Sequence, residues 1–316
     1  MKVVVNTLDD SEYVLESLIE INFTQTADAA CDCFWTVFKS DDIKGEIVTI
    51  RVFDNDKLIF NGYCDTQKIS EDENGAEVFF YARSTASLLV DNEAMPFTYN
   101  KPTANQLCFT FAEPLGFHSD LPEIVTNQKY EIAKGASCYG AISRFVVLTT
   151  GKQIYITPQN SIRLYEKSKD IKSLGKYKIL SAKAVINRSE PLSQICFKRA
   201  AASVGYKLHT VAEIKNDFKL CERKQYVNLS SLEQWQREYA VLQKLRNSYK
   251  DYKILELTVS GYVGEELYQR FSYSSKIGDF NDYILVEKKY TADKNGSVTR
   301  LILKKEIDVK EITYVD

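Results

Sequence analysis

The stretch Tyr81-Ala82-Arg83-Ser84-Thr85-Ala86-Ser87-Leu88-Leu89-Val90-Asp91 decides how the chain divides. Before it, Glu77-Val78-Phe79-Phe80-Tyr81-Ala82 is a run of aromatic and branched residues introduced by the turn-forming Asp72-Glu73-Asn74-Gly75, which predicts a strand ending at Arg83. After it, Ser84 or Thr85 can cap a short helix by accepting a backbone N–H, with Leu88, Leu89 and Val90 as its apolar side.

Upstream, residues 1 to about 82 carry apolar or alternating runs at Val3–Val5, Tyr13–Phe23, Cys33–Phe38, Ile47–Phe53, Leu58–Tyr63 and Val78–Tyr81. Asp54-Asn55-Asp56 between two of these runs suits a tight hairpin, because Asn and Asp tolerate positive φ. Five or six short strands at this spacing predict a small barrel or sandwich.

Downstream, to about Leu164, helix and strand alternate. Thr103 is a candidate cap for a helix carrying Leu107, Cys108 and Phe111, ending at Pro114-Leu115-Gly116. A second helix is predicted from Ser137 to Thr149, stopped by Gly151 and followed by the strand Gln153–Thr157. Beyond Lys176 the β signal returns at Lys178–Val185 and Gln194–Ala200. One helix then interrupts it, with Ser230 and Glu233 as a capping box and a stripe of Leu232, Trp235, Tyr239, Leu242 and Leu245. Strands at Ile254–Val259, Tyr283–Tyr290 and Val298–Lys305 close the chain, the last two joined by Asp293-Lys294-Asn295-Gly296. No period of about 20 to 50 residues repeats, which argues against a solenoid.

Composition narrows the function classes. The chain has 316 residues, 44% hydrophobic and 27% charged, long enough to bury a core without disulfide or metal staples. Its 41 basic and 43 acidic side chains are interspersed, so no basic face is expected for nucleic acid. No apolar window is long enough for a membrane helix and Met1–Asn6 is too short an apolar run for a signal peptide, so the expectation is a soluble chain made in the cytoplasm. Seven dispersed cysteines, at 31, 33, 64, 108, 138, 196 and 221, read as reduced thiols.

Catalytic chemistry finds little support. The two histidines, His118 and His209, have no second histidine at ligand spacing, and Cys31-Asp32-Cys33, read as two thiols on one strand face, lacks a partner CxxC. Glu113, Asp120 and Glu123 cluster in sequence but flank a helix end and a loop, where carboxylates are usually solvated. No phosphate-cradling glycine motif occurs. The reading is no enzyme, no catalytic residue, no metal and no cofactor.

The order of elements resembles the baseplate hub proteins of contractile phage tails, of the phage Mu tail protein D type, whose fold recurs in type VI secretion spike proteins. The resemblance runs through Ala82–Asp91, then Thr103–Cys108, Phe111-Ala112-Glu113-Pro114-Leu115-Gly116-Phe117 and Ala136–Ile156, and ends with Ser260-Gly261-Tyr262, Tyr283–Val286 and the hairpin through Asn295-Gly296. Tyr262 stands where the family often has tryptophan. The implied fold is α+β, mostly β: a first tube-protein-like barrel at 1–83, an α+β insert at 84–165, and a second barrel at 166–316 with a helix at about 230–248. The implied function is a structural hub, a homotrimer that joins the hexameric tail tube protein to the central spike protein and nucleates the tube, with baseplate wedge or tape-measure proteins as further partners. The resemblance implies assembly in the bacterial cytoplasm and then a place in a virion or a phage-tail-like bacteriocin. The alternatives are a tail-associated cell-wall hydrolase and a tail-tip protein of a non-contractile tail. Arg83, Leu88 and Leu89 are then junction residues between barrel and insert.

Overall fold

The computed structural model describes residues 1–39, 45–73, 75–198, 209–214, 222–230, 232, 234–306 and 312–315. Glu233 of the expected capping box and Cys221 lie outside the described residues, as does the side chain of Trp235. Strands make up 52% and helices 17%, so the chain is mostly β, dominated by one large curled sheet that is antiparallel except where Ile171–Ser173 pairs with Arg270–Ser272.

That sheet holds 13 strands. Its first half is built from Lys2–Thr7, Glu12–Leu15, Leu18–Thr26, Cys33–Lys39, Ile47–Asp54, Lys57–Asp72 and Gly75–Ser84. Alternation sets its core. In Cys33–Lys39 the residues Phe34, Thr36 and Phe38 point inward, and Phe34 lies within 6.3 Å, centroid to centroid, of the Phe23, Phe60 and Phe80 rings. Cys31 precedes this strand rather than sharing a face with Cys33, because the chain turns through Thr26–Cys33.

The second half uses Ile171–Ser173, Ile179–Ile186, Lys253–Ser260, Arg270–Ser275, Gly278–Asp293 and Gly296–Lys305, around Leu174, Leu255, Leu257, Phe271, Leu285, Leu301 and Leu303. One long strand stitches the halves together. Gly278–Asp293 pairs with Gly296–Lys305 on one edge, and through Glu287–Ala292 with Ile21–Thr26 on the other. Tyr290, 8% exposed, thereby enters the core of the first half.

Each half contains the same hairpin. A 16-residue strand meets a 10-residue strand in both, Lys57–Asp72 with Gly75–Ser84 and Gly278–Asp293 with Gly296–Lys305. Both turns read Asp-x-Asn-Gly, with Gly75 at φ 110° and Gly296 at φ 123°, a region closed to side-chain-bearing residues. The bulge between Cys64 and Thr66 recurs between Leu285 and Glu287.

Between the halves lies the α/β part. Helices α1 (Ser87–Asp91), α2 (Ala104–Phe111) and α3 (Cys138–Thr150) enclose a core of Leu89, Leu107, Phe111, Ile142, Phe145 and Ile162, flanked by small two- and three-stranded sheets. Thr103 and Ser137 cap α2 and α3, their hydroxyls accepting from Gln106 N and Gly140 N at 3.0 Å, and Gly151 ends α3 at φ 69°. The expected cap of α1 is not formed. Ala86 is its N-cap; Ser84 Oγ accepts instead from Asp32 N (3.1 Å), and Thr85 Oγ1 donates to Asn160 Oδ1 (2.6 Å). Tertiary partners outbid the local one because a five-residue helix has little to gain from a cap.

The sequence missed a four-stranded sheet inserted in the second half: Gln194–Lys198, His209–Ile214, Lys224–Asn228 and Ile312–Val315. Helix α4 (Gln234–Tyr249) packs on it through Val241 and Leu245 against Ile195, Phe197 and Ala212. The buried face therefore runs through Val241, Leu245 and Tyr249, while Leu242 of the expected stripe only flanks it. Apolar residues on adjacent faces leave the orientation to the packing partner.

Candidate assembly site

Arg83 lies on Gly75–Ser84 between Cys33 on one neighbouring strand and Tyr63 on the other. Its guanidinium donates to both Asp65 oxygens (2.6 and 3.2 Å) and both Asp91 oxygens (3.0 and 2.7 Å). Asp65 sits in the bulge of the first hairpin and Asp91 is the last residue of α1, so one planar side chain ties the sheet to the helix that opens the insert. Hydrogen bonds from Arg83 hold the Asp91 carboxyl below its usual range, and the two carboxylates raise the guanidinium further. Two carboxylates share one cation, leaving one negative charge in excess. With Arg83 30% exposed, each pair contributes at most about 1 kcal/mol.

Leu89, 1% exposed, is the anchor of α1 in the insert core. Leu88 is half-buried beside that core, and Val90 is 37% exposed. Burial of one of these three consecutive residues follows from the helix period.

At the seam, Lys288 is 3% exposed and donates to Glu265 O (3.0 Å), with its ammonium 5.1 Å from the Tyr262 ring centroid. Burial pulls its pKa down to about 8, against the opposing pull of Asp32. Glu265 accepts from Lys172 (2.7 Å), Lys176 (2.5 Å) and Tyr177 Oη (3.0 Å). Burial alone would raise its carboxyl, but these three donors outweigh burial and hold it at about 2. The network pins the linker between the second-half strands.

A cavity of about 190 Å³ opens where the first half, the insert and the Tyr262–Leu267 linker meet, walled by Tyr139, Tyr155, Tyr165 and Tyr262 and holding Asp32 and Lys288. Burial raises Asp32 to about 6, opposed by the Gln25 amide at 2.7 Å and the Lys288 charge. Each of the two charges thus opposes the shift that burial imposes on the other.

The remaining catalytic candidates are dispersed. His118 is exposed and 4.0 Å from Asp120, whose carboxylate is already engaged by Ser161 Oγ (2.5 Å) and Arg163 (2.8 Å) and lowered by them. Glu113 and Glu123 are exposed. Burial raises the Cys31 thiol to about 12 and Cys64 and Cys108 to about 11, the opposite of an activated nucleophile. Among the described residues no cluster of His, Cys, Asp and Glu is suited to a metal ion, and no helix is long and apolar enough to cross a membrane.

The surface features that stand out are strand edges. Ile179–Ile186 ends the large sheet, paired on one side only among the described residues, with Leu180 50% and Ile186 56% exposed. Thr66–Glu71 of the first hairpin has its outer edge unpaired among the described residues, with Ile69 63% exposed. Open apolar edges are templates for pairing with another chain. The two Asp-x-Asn-Gly turns mark equivalent hairpins in the sequence, but the pairing that covers the second, with Ile21–Thr26, joins residues more than 260 positions apart and leaves no local signal.

No protein-family model and no curated protein sequence matches the chain. Solved structures do. A tail protein from Neisseria meningitidis MC58 superposes with a TM-score of 0.76 at 18% identity, covering 96% of each chain. The 43 kDa tail protein of prophage MuSo2 from Shewanella oneidensis gives 0.78 at 14% identity, covering 96% of this chain and 98% of that one. The E. coli c3393 protein, a component of the type VI secretion system with structural similarity to T4 bacteriophage tail proteins gp27 and gp5, gives 0.59 at 8% identity, covering 95% of this chain and 76% of that one. The chain has the fold shared by these phage tail proteins and the type VI secretion component.

Proposed function

We propose that the chain is a structural hub of a contractile phage tail or phage-tail-like bacteriocin, a homotrimer that joins the hexameric tail tube to the central spike and nucleates tube assembly. One observation carries this reading: a single sheet repeats one hairpin in two halves, so three copies present six equivalent hairpins to a sixfold partner. The full-length likeness to phage tail proteins supports it. In this reading 1–83 and 166–316 are the two tube-like domains and 84–165 is the insert, with Arg83, Leu88 and Leu89 holding the junction. Wedge or tape-measure proteins would bind its periphery.

Native mass spectrometry of the purified chain, alone and with spike and tube proteins, tests the proposal. The expected result is a trimer, formed alone or on addition of spike, that binds both partners; a persistent monomer with peptidoglycan hydrolase activity would overturn it. Leu88→Asp places a carboxylate beside the insert core and should impair folding or trimer yield.

A further inference from the structure

The two halves agree beyond their hairpins, residue by residue. Cys33–Lys39 lies beside Gly75–Ser84 as Lys253–Ser260 lies beside Gly296–Lys305. Leu18–Thr26 then follows the former as Ile179–Ile186 follows the latter. Phe23 faces Phe34 as Ala184 faces Leu255, and the register slip between Leu18 and Glu20 recurs between Ile179 and Ser181.

Along these matched strands the two halves part at the outer edge. Inside the chain, Glu287–Ala292 is paired with Ile21–Thr26. The equivalent of the first segment is Thr66–Glu71 and that of the second is 182–187, and among the described residues neither is paired along that edge. They lie at opposite parts of the sheet path and belong to different halves.

We infer that Thr66–Glu71 of one copy pairs antiparallel with residues 182–187 of a second copy, repeating the internal seam in its own register. Ile69 then faces Ala184 as Tyr290 faces Phe23, and Thr66 faces Asn187 as Glu287 faces Thr26. The inference rests on the oligomer of the proposed function and names the contact that builds it.

Exposure agrees with this assignment. Tyr290 is 8% and Phe23 1% exposed in the internal seam, whereas Ile69 is 63% exposed and Ala184 is exposed. Charge agrees as well. Ser70 would face Lys183, placing that cation beside Glu71. In the internal seam Ala27 N donates to Val286 O at 2.8 Å. The counterparts of these two residues are Arg188 and Asp65, so Arg188 would arrive at the Asp65–Arg83–Asp91 cluster with its excess negative charge. The contact is head-to-tail, the type that gives a ring where its rotation closes, as the trimer of the proposed function requires.

The test uses two full-length single variants, Ile69→Cys and Ala184→Cys, both at exposed positions, mixed and oxidised. Directly opposed strand positions lie within reach of a disulfide. The expected result is a covalent dimer in the mixture and not in either variant alone, with the double variant giving a covalent closed oligomer. Ile69→Cys mixed with Leu180→Cys, out of register, should give none. A native trimer without the Ile69–Ala184 cross-link would overturn this interface and leave the hub reading standing. A monomer at every concentration, with tube and spike added, would overturn both. Cross-linking in register without a trimer would support the interface and overturn the trimeric hub.

Discussion

The hairpins 57–84 and 278–305 share strand lengths, turn chemistry and bulge position, yet Glu287–Ala292 of the second is covered along its outer edge and the matching Thr66–Glu71 of the first is open among the described residues. Side chains at matched positions show how one backbone serves two surroundings. Lys288 in the second hairpin reaches Glu265 O at 3.0 Å; Gln67 at the same place in the first reaches Gly45 O at 3.1 Å and accepts from Ile47 N at 2.7 Å. Both tie the hairpin to its incoming linker, but only the one beneath the seam had to hold its amine out of water. Tyr290 fills the seam where Ile69 stands in solvent. Equivalent geometry thus carries stability in one half and an open edge in the other.

The largest effect should come from breaking the closed edge. Tyr290→Ala removes an aromatic side chain from the first-half core and should cost about 3 to 5 kcal/mol in urea unfolding, whereas Ile69→Ala should shift monomer stability by less than about 0.5 kcal/mol. Equal losses would remove the distinction between the edges.

Next is the Glu265 network, which the second half alone uses. A folded-state pKa of about 2 lies below the ordinary 4.5, so its contribution, on the order of 3 kcal/mol, is present above about pH 4.5 and lost as pH falls through that window. Glu265→Gln should flatten this part of the acid unfolding profile.

A smaller effect follows from converting one hairpin towards the other. Lys288 carries a folded pKa lowered to about 8, so wild-type stability should rise between about pH 8 and 10.5 as the buried amine loses its proton in the fold first. Lys288→Gln, the first-hairpin residue, should remove that rise while keeping a donor to Glu265 O. Smallest of all, Arg83→Lys replaces four forked hydrogen bonds with a point charge and should cost about 1 kcal/mol in thermal unfolding at low salt, less at high salt.

Much of this was legible locally. The Asp-x-Asn-Gly turns, the Thr103 cap and the Gly151 stop each act within a few residues and form as the residue types dictate, while Ser137, expected as the first helical residue, is the N-cap. The Ser84–Thr85 cap failed because Asp32 and Asn160, far away in sequence, compete for the same hydroxyls. The face of α4 was misjudged because its cover, Ile195, Phe197 and Ala212, belongs to a sheet whose strands carry weak periodicity and are joined across long separations.

The amino-acid sequence by itself determined the strand-rich class, the strand–helix switch after Arg83 and the turn chemistry, because alternation and backbone permissiveness are short-range. Only the tertiary structure decided that Glu287–Ala292 closes on Ile21–Thr26, that the two hairpins are equivalent and that one edge stays open. Strand pairing is a choice among distant partners with similar hydrogen-bonding edges, and it is settled by which side chains the assembled sheet buries.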